Sequence, residues 1–165
     1  MNNTAPNAGH AKKGRILALD YGRARIGMAI ADPETALPHP LGTLDRINRN
    51  EDMRRLRELV REHGVRQIVV GLPLRLDGTR GDMAEEASKF GQRVRKQLGL
   101  PVQMVDERLT SWEAERMLEE LQGRTIHTAS GKKRKENSKP GVDALAAALI
   151  LKEYLDRKHA MPEAK

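Results

Sequence analysis

Three acidic residues of this sequence have the chemistry and the positions expected of a metal site. Asp20 directly follows an apolar run at 16–19, Glu107 follows another at 102–105, and Asp143 lies in the first turn of a predicted C-terminal helix. In each case the apolar neighbours would hold the backbone in the core while the carboxylate reaches an edge or a cleft.

Each acid also has an ordinary structural explanation. Asp20 begins an Asp-x-Gly sequence, which is common in turns. Asp106 is as well placed as Glu107 to point inward. Asp143 would complement the positive end of a helix dipole. Considered separately, none of the three indicates a catalytic site.

The three acids together predict more than each does alone. Parallel strands of an α/β sheet end at a common edge, where functional loops concentrate. Carboxylates that converge there would repel one another unless a cation lay between them. Oxygen ligands without His or Cys favour Mg²⁺ or Mn²⁺. If the acids meet in space, the sequence predicts a site for one of these cations.

The elements that would position these acids follow from the spacing of apolar residues and from turn signals. Gly64 and Gly99 are placed to end two of the helices. A hairpin followed by alternating helices and strands indicates a mixed sheet covered by helices. The predicted strands are 15–19, 26–31, 41–44, 67–70 and 102–105, and the predicted helices are 50–63, 82–98, 110–121 and one that begins at 140 or 141.

Length and composition indicate one globular domain. The 165 residues are 38% hydrophobic and only 2% aromatic, so Ile, Leu, Val and Ala must build the core. The absence of cysteine excludes disulfides and thiolate metal sites and fits a reducing cytoplasm. No apolar run approaches the roughly 20 residues of a membrane span. We expect a disordered leader at 1–13, a single domain at 14–157 and a frayed tail at 158–165.

The formal net charge of +7 is explained equally well by a polyanionic partner and by solubility. Its distribution says more than its size. The segment 123–140 contains six basic residues and a single acid, and it is poor in apolar residues. We expect a mobile basic loop there, suited to a phosphate chain.

Four motifs, in order, closely resemble the YqgF family: LALDYGRARIGMAIAD, IVVGLPLRLDGT, VDERLTSWEAERML and KKRKENSKPGVDALAAALIL. Members are described as pre-16S ribosomal RNA nucleases and as Holliday-junction-resolvase-like proteins. The resemblance spans 15–156. It implies an α/β, ribonuclease H-like fold, with a five-stranded mixed sheet flanked by helices on both faces.

The resemblance also implies an acidic catalytic and metal site made of Asp20, Glu107 and Asp143, and it selects Glu107 over Asp106. The implied reaction is metal-dependent phosphodiester hydrolysis, leaving a 5′-phosphate and a 3′-hydroxyl, in 5′-end maturation of pre-16S rRNA. Two cations, Mg²⁺ or Mn²⁺, about 3.5–4 Å apart would clamp the attacking and leaving oxygens.

Basic residues near the acids are candidates for binding nucleic-acid phosphates. A departure from the family pattern is the ENSKPG insertion, which lengthens the link between the basic run and the last acid. The glycines of the Gly71-Leu72-Pro73 and Asp77-Gly78-Thr79 segments either line the cleft or serve as turns. The candidate phosphate contacts are Arg23, Arg25, Arg108, Lys132, Lys133, Arg134 and Lys135.

Three other functions are compatible with the sequence. A resolvase would cut branched DNA and would work as a dimer; because no apolar stripe is left for an interface, a monomer is favoured. A protein of the same fold could bind structured RNA or ribosomal precursor particles without cutting. A nucleotide phosphotransferase would need a second such domain, for which the chain is too short.

Overall fold

The computed structural model describes residues 14–35, 37–107 and 141–161. The predicted leader, the predicted helix at 110–121 and the basic loop at 123–140 lie outside these ranges. The elements, in chain order, are β1 (Arg15–Tyr21), β2 (Arg25–Ala31), β3 (Pro38–Asp45), α1 (Arg49–His63), β4 (Val65–Leu72), α2 (Asp82–Leu98), β5 (Val102–Asp106) and α3 (Val142–Ala160).

The five strands form one mixed sheet in the order β3-β2-β1-β4-β5. β2 pairs antiparallel with β1 and with β3, whereas β4 pairs parallel with β1 and with β5. The carboxyl ends of β1, β4 and β5 therefore lie at the same edge, which we call the carboxyl edge. The opposite edge, where these three strands begin, is the amino edge.

The sheet is covered on both faces, because side chains alternate along each strand. Leu17 and Leu19 of β1 pack in one core with residues of α1 and α2, including Met53 and Phe90. Ile16 and Ala18 pack in a second core with Ala29 of β2 and with the buried residues of α3. The predicted fold class is confirmed within the described ranges. None of the helices described there is long and apolar enough to cross a membrane.

The helix boundaries follow local chemistry. Asn48 caps α1, and its side chain accepts a hydrogen bond from the Glu51 backbone N–H at 2.9 Å. Gly64 and Gly99 end α1 and α2 with φ of 64° and 67°, as predicted. This left-handed conformation strains residues with a Cβ, so glycine is the residue expected there.

All five strands are longer than predicted, β2 and β5 by one residue each and β4 by two residues at both ends. β1 continues through Asp20 and Tyr21, because these residues pair with Gly27 and Ile26 of β2. Asp20 is thus the second-last strand residue and does not follow the strand. β3 begins at Pro38, before the predicted start at 41, because its pairing with β2 extends that far.

Both ends of α3 also differ from expectation. The helix begins at Val142 and not at 140 or 141, and Val142 is 76% exposed, since it precedes the part of the helix that packs on the sheet. At the other end the helix continues to Ala160, so the predicted frayed tail at 158–165 begins inside it. Basic residues in this last turn interact favourably with the helix dipole.

Candidate active site

The alternation of side chains places two of the predicted acids on one face at the carboxyl edge. Asp20 continues the series Ile16 and Ala18, which faces α3. Glu107 continues the series of Val105, on the same face, and directly follows β5. The Glu107 N–H donates to the Leu72 carbonyl oxygen at 3.1 Å, which anchors this residue to the end of β4.

The Asp20 and Glu107 carboxyl groups are hydrogen bonded to each other and share a proton. Burial, followed by the charge of Asp20 and the hydrogen bond with it, raises the pKa of Glu107 to about 8. Burial also raises the pKa of Asp20; the hydrogen bond with Glu107 opposes this shift, and the charge of Asp143 adds to it. At neutral pH the Glu107 carboxyl therefore keeps its proton and donates it to Asp20.

Asp143 approaches this pair from the first turn of α3, as predicted. Its backbone packs directly over Gly27, the residue that pairs with Asp20 across β1 and β2. Its carboxylate Oδ2 lies 3.1 Å from Arg25 Nε. Arg25, a candidate phosphate contact, is thus paired with a candidate metal ligand.

The pair fits a divalent cation better than it fits a purely structural role. Glu107 Oε1 is buried without a hydrogen-bond partner among the described residues, which is costly unless something else supplies the missing interaction. In the same ranges no three His, Cys, Asp or Glu side chains are close enough together to hold a metal ion. Of the three candidate metal ligands, Asp20 and Glu107 are therefore in contact with each other, whereas Asp143 is paired with Arg25.

Two glycines shape the site in a way that the sequence analysis missed. A Cβ on Gly71 would lie 1.8 Å from Glu107 Oε1, and a Cβ on Gly27 would lie 1.9 Å from the Asp143 carbonyl oxygen. Gly71 therefore lies inside β4 and not in a turn, and it leaves room for a carboxyl group. The signal available in the sequence was a glycine inside each apolar strand, which often marks a close approach. Gly78, by contrast, has φ of 84° and does serve a turn.

A buried ion pair supports the turn between β1 and β2 from the other face. The Asp52 carboxylate is almost completely buried and accepts from Arg46 Nε at 3.2 Å. Arg46 Nη1 also donates to the Tyr21 hydroxyl at 3.0 Å and to the Gly22 carbonyl at 3.3 Å. This network holds the turn that contains Arg23 and leads to Arg25, the first residue of β2. Both arginines are candidate phosphate contacts.

Arg23 is exposed and pairs with Glu86 through a 2.8 Å contact between Nη2 and Oε1. This pair lies on the α2 side of the sheet, where the Tyr21 hydroxyl also donates to Glu86 at 3.3 Å. The other basic candidates, Arg108, Lys132, Lys133, Arg134 and Lys135, lie outside the described residues.

The fold and its acidic edge define the class of protein: a ribonuclease H-like domain. Two solved structures share this fold at low sequence identity. The T. thermophilus RuvC in complex with a Holliday junction substrate superposes with a TM-score of 0.54 at 15% identity, covering 90% of this chain and 97% of RuvC. The Fowlpox virus resolvase bound to Holliday junction DNA gives 0.53 at 12%, covering 87% and 97%.

The chain belongs to the family described as "RuvX: Holliday junction resolvase", whose model matches residues 14–157. A relative from Koribacter versatilis, named "Putative pre-16S rRNA nuclease", is 44% identical over 153 residues, which is 93% of this chain and 92% of the relative. These matches confirm the predicted family, also known as YqgF, and the predicted class of enzyme, a nuclease.

Proposed function

We propose that this chain is a divalent-metal-dependent nuclease that cleaves pre-16S ribosomal RNA in the cytoplasm at the carboxyl edge. The observation that supports this most directly is the partly buried Asp20–Glu107 pair. Glu107 Oε1 has no hydrogen-bond partner among the described residues, and Asp143 is close enough to raise the pKa of Asp20. The name of the Koribacter versatilis relative supports the substrate.

Asp20, Glu107 and Asp143 would hold the cation, Mg²⁺ or Mn²⁺, because hard oxygen ligands suit these ions. When bound, a divalent cation lowers the pKa of water and stabilises negative charge on a phosphate. Glu107 must give up the proton that it shares with Asp20, and Asp143 must leave Arg25. Arg25 is then free beside the site, where its guanidinium suits a phosphate oxygen.

The remaining basic candidates would bind the nucleic-acid backbone on either side of the cleaved bond. Arg108 directly follows Glu107, and the run 132–135 precedes Asp143 in the chain. Their residue types and their positions in the sequence support this role. Arg23, in the turn beside Asp20, is a further candidate for it. We expect them to supply affinity and salt dependence.

The test is cleavage of a labelled precursor ribosomal RNA fragment with Mn²⁺, Mg²⁺ or EDTA. Asp20→Asn keeps the shape of the side chain and removes its charge, so cleavage should fall to the level seen with EDTA. Asp32→Asn is the matched control, because Asp32 is exposed and its Oδ1 only accepts from the Glu34 N–H in a turn. Full metal-dependent cleavage by Asp20→Asn would refute the assignment.

Branched DNA is a second candidate substrate, supported by the description of the matching family. A four-way DNA junction placed in the same assay separates the two. A resolvase makes paired cuts and needs two active sites, so junction cleavage should be accompanied by a dimer in size-exclusion chromatography. Cleavage of the RNA by a monomer would support the first proposal, and RNA binding without cleavage would indicate a binding protein.

A further inference from the structure

The edge of the sheet opposite the candidate active site carries a concentration of exposed basic residues. They come from five different elements, namely the first residues of two parallel strands and the last turns of all three described helices. We call them the amino-edge patch: Arg15, Arg61, Arg66, Arg95, Lys96 and Lys158.

Contacts across the amino edge bring these elements together. Arg66 packs against Gly14 at the start of β1, so it lies beside Arg15. The last turn of α1 leads through Gly64 directly into β4, and the Pro101 carbonyl accepts from the Ile68 N–H at 3.0 Å where the chain from α2 enters β5. An open depression lined by Arg95 and the segment 99–102 lies at this point.

α3 reaches the same edge from the other face of the sheet. It starts over Gly27 at the carboxyl edge, and farther along the Tyr154 hydroxyl accepts from Gln67 Nε2 at 2.6 Å, near the start of β4. Its last turn, with Lys158, therefore extends past the amino edge. The helix dipole accounts for basic residues at helix ends, but it does not account for Arg15 and Arg66, which lie on strands.

Few acids neutralise this surface. None of the six basic residues forms an ion pair within the ranges that the structure describes. The acids Glu153 and Asp156 of α3 are paired with Arg157 and Lys152, at 2.7 Å and 3.0 Å. Glu62 is the acid in the last turn of α1. Like charges gathered on one surface repel one another unless a polyanion neutralises them.

We infer that the amino-edge patch is a second RNA-binding surface, which holds the phosphate backbone of a long substrate at a distance from the cleaved bond. This inference rests on the proposed nuclease function for its choice of RNA. The seven residues of β1 separate the two edges by about 23 Å. A short oligonucleotide at the active site would not reach the patch, whereas a long folded RNA would contact both edges.

The test compares two triple variants that remove the same charge. Arg15→Gln/Arg66→Gln/Lys96→Gln changes the patch, and Arg54→Gln/Lys89→Gln/Lys152→Gln changes three exposed basic residues in the middle of the three helices, away from both edges. Binding of a long precursor ribosomal RNA fragment is measured over a range of salt concentrations in EDTA, so that metal-dependent cleavage is off. Melting temperatures verify that both variants are folded.

The patch variant should bind the long RNA more weakly. The slope of log K against log salt concentration should also be smaller in magnitude by about 2, because each of the three lost contacts to a single-stranded phosphate contributes roughly 0.7. The control variant should keep the wild-type slope. Unchanged binding by the patch variant, or equal losses in both variants, would overturn the inference. The inference would also be overturned if duplex DNA of the same length displaced the RNA from the wild type as well as unlabelled RNA does.

Cleavage measurements separate this inference from the proposed function. For a substrate of about six nucleotides, at the low end of single-strand site sizes, kcat/KM should be equal in the wild type and the patch variant. For the long RNA only KM should rise in the variant. A wild type that binds the long RNA but never cuts it would refute the proposed nuclease and leave the binding comparison valid.

Discussion

Glu107 retains its proton at a pH where an exposed glutamate would have lost it. Burial and the adjacent Asp20 carboxylate both oppose its ionisation, and the folded chain therefore binds a proton that the unfolded chain releases. Glu107 also has a buried oxygen, Oε1, without a hydrogen-bond partner in the part of the chain that the structure describes. A site of this kind costs stability until a cation or a proton occupies it.

The pH dependence of stability tests this state of Glu107. Its pKa is about 8 in the folded chain against an ordinary value of 4.5. Without divalent cations, the free energy of unfolding should therefore fall as pH rises from about 4.5 to 8, at up to about 1.4 kcal/mol per pH unit, the limit for one proton. Glu107→Gln, which cannot ionise, should remove most of this fall.

Denaturant unfolding at several pH values in EDTA makes the measurement, with Glu62→Gln as the control, since Glu62 is exposed and lies away from the site. The raised pKa of Asp20 acts in the same direction, so part of the slope should persist in Glu107→Gln. A wild-type stability that rises over this pH range would contradict the shared proton.

At the scale of elements, the site depends on how closely α3 lies on the sheet. Small residues face each other in this interface, Ala29 and Ala31 on β2 and Ala147 and Ala148 on α3. Small side chains allow a helix to approach the strands closely, and at Gly27 the Asp143 backbone leaves no room for a Cβ. The position of Asp143 is therefore set by packing along the whole helix.

Gly27→Ala should displace the start of α3. The new Cβ would lie 1.9 Å from the Asp143 carbonyl oxygen, a backbone atom that cannot rotate away. We expect a loss of about 1–3 kcal/mol in the free energy of unfolding, as for other overpacked sites, together with weaker Mn²⁺ binding. Calorimetry of unfolding and of Mn²⁺ titration measures both.

Gly141→Ala is the control for this change. It lies next to the same helix, but among the described residues its Cβ would meet only Thr43 Cγ2, at an ordinary 3.8 Å. Stability and Mn²⁺ affinity close to those of the wild type are expected for it. If Gly27→Ala behaved in the same way, the close approach would not position Asp143.

At the scale of the whole molecule, the charges of the described helices are ordered along the strands. The carboxyl edge holds the paired acids, and α1, α2 and α3 begin with acids in their first turns and end with basic residues in their last. A divalent cation at the carboxyl edge would relieve repulsion among acids from β1, β5 and α3, and it would thereby connect elements from both ends of the chain.

Cation binding should therefore stabilise the whole domain. A ligand that binds only the folded state adds about 2.7 kcal/mol at a concentration 100 times its Kd, which corresponds to a rise in Tm of roughly 5–10 °C for a chain of this size. We expect such a rise with Mn²⁺ in the wild type and none in Asp20→Asn. Equal rises in both proteins would place the cation elsewhere.

The local features of the sequence determined much of the fold. Short apolar runs located the five strands, and Gly64 and Gly99 marked the ends of two helices, because these signals depend on neighbours in the chain. The family motifs also identified Asp20, Glu107 and Asp143 as the acids of interest, although their roles remain predictions.

Only the tertiary structure decided which residues meet. Sequence spacing could not show that Glu107 shares a proton with Asp20, that Arg25 pairs with Asp143, or that Gly27 and Gly71 leave the space these contacts need. It also located the basic segment 123–140 but not the amino-edge patch, whose residues come together from two strands and three helices. Contacts between residues far apart in the chain depend on strand order and helix packing, which no local pattern specifies.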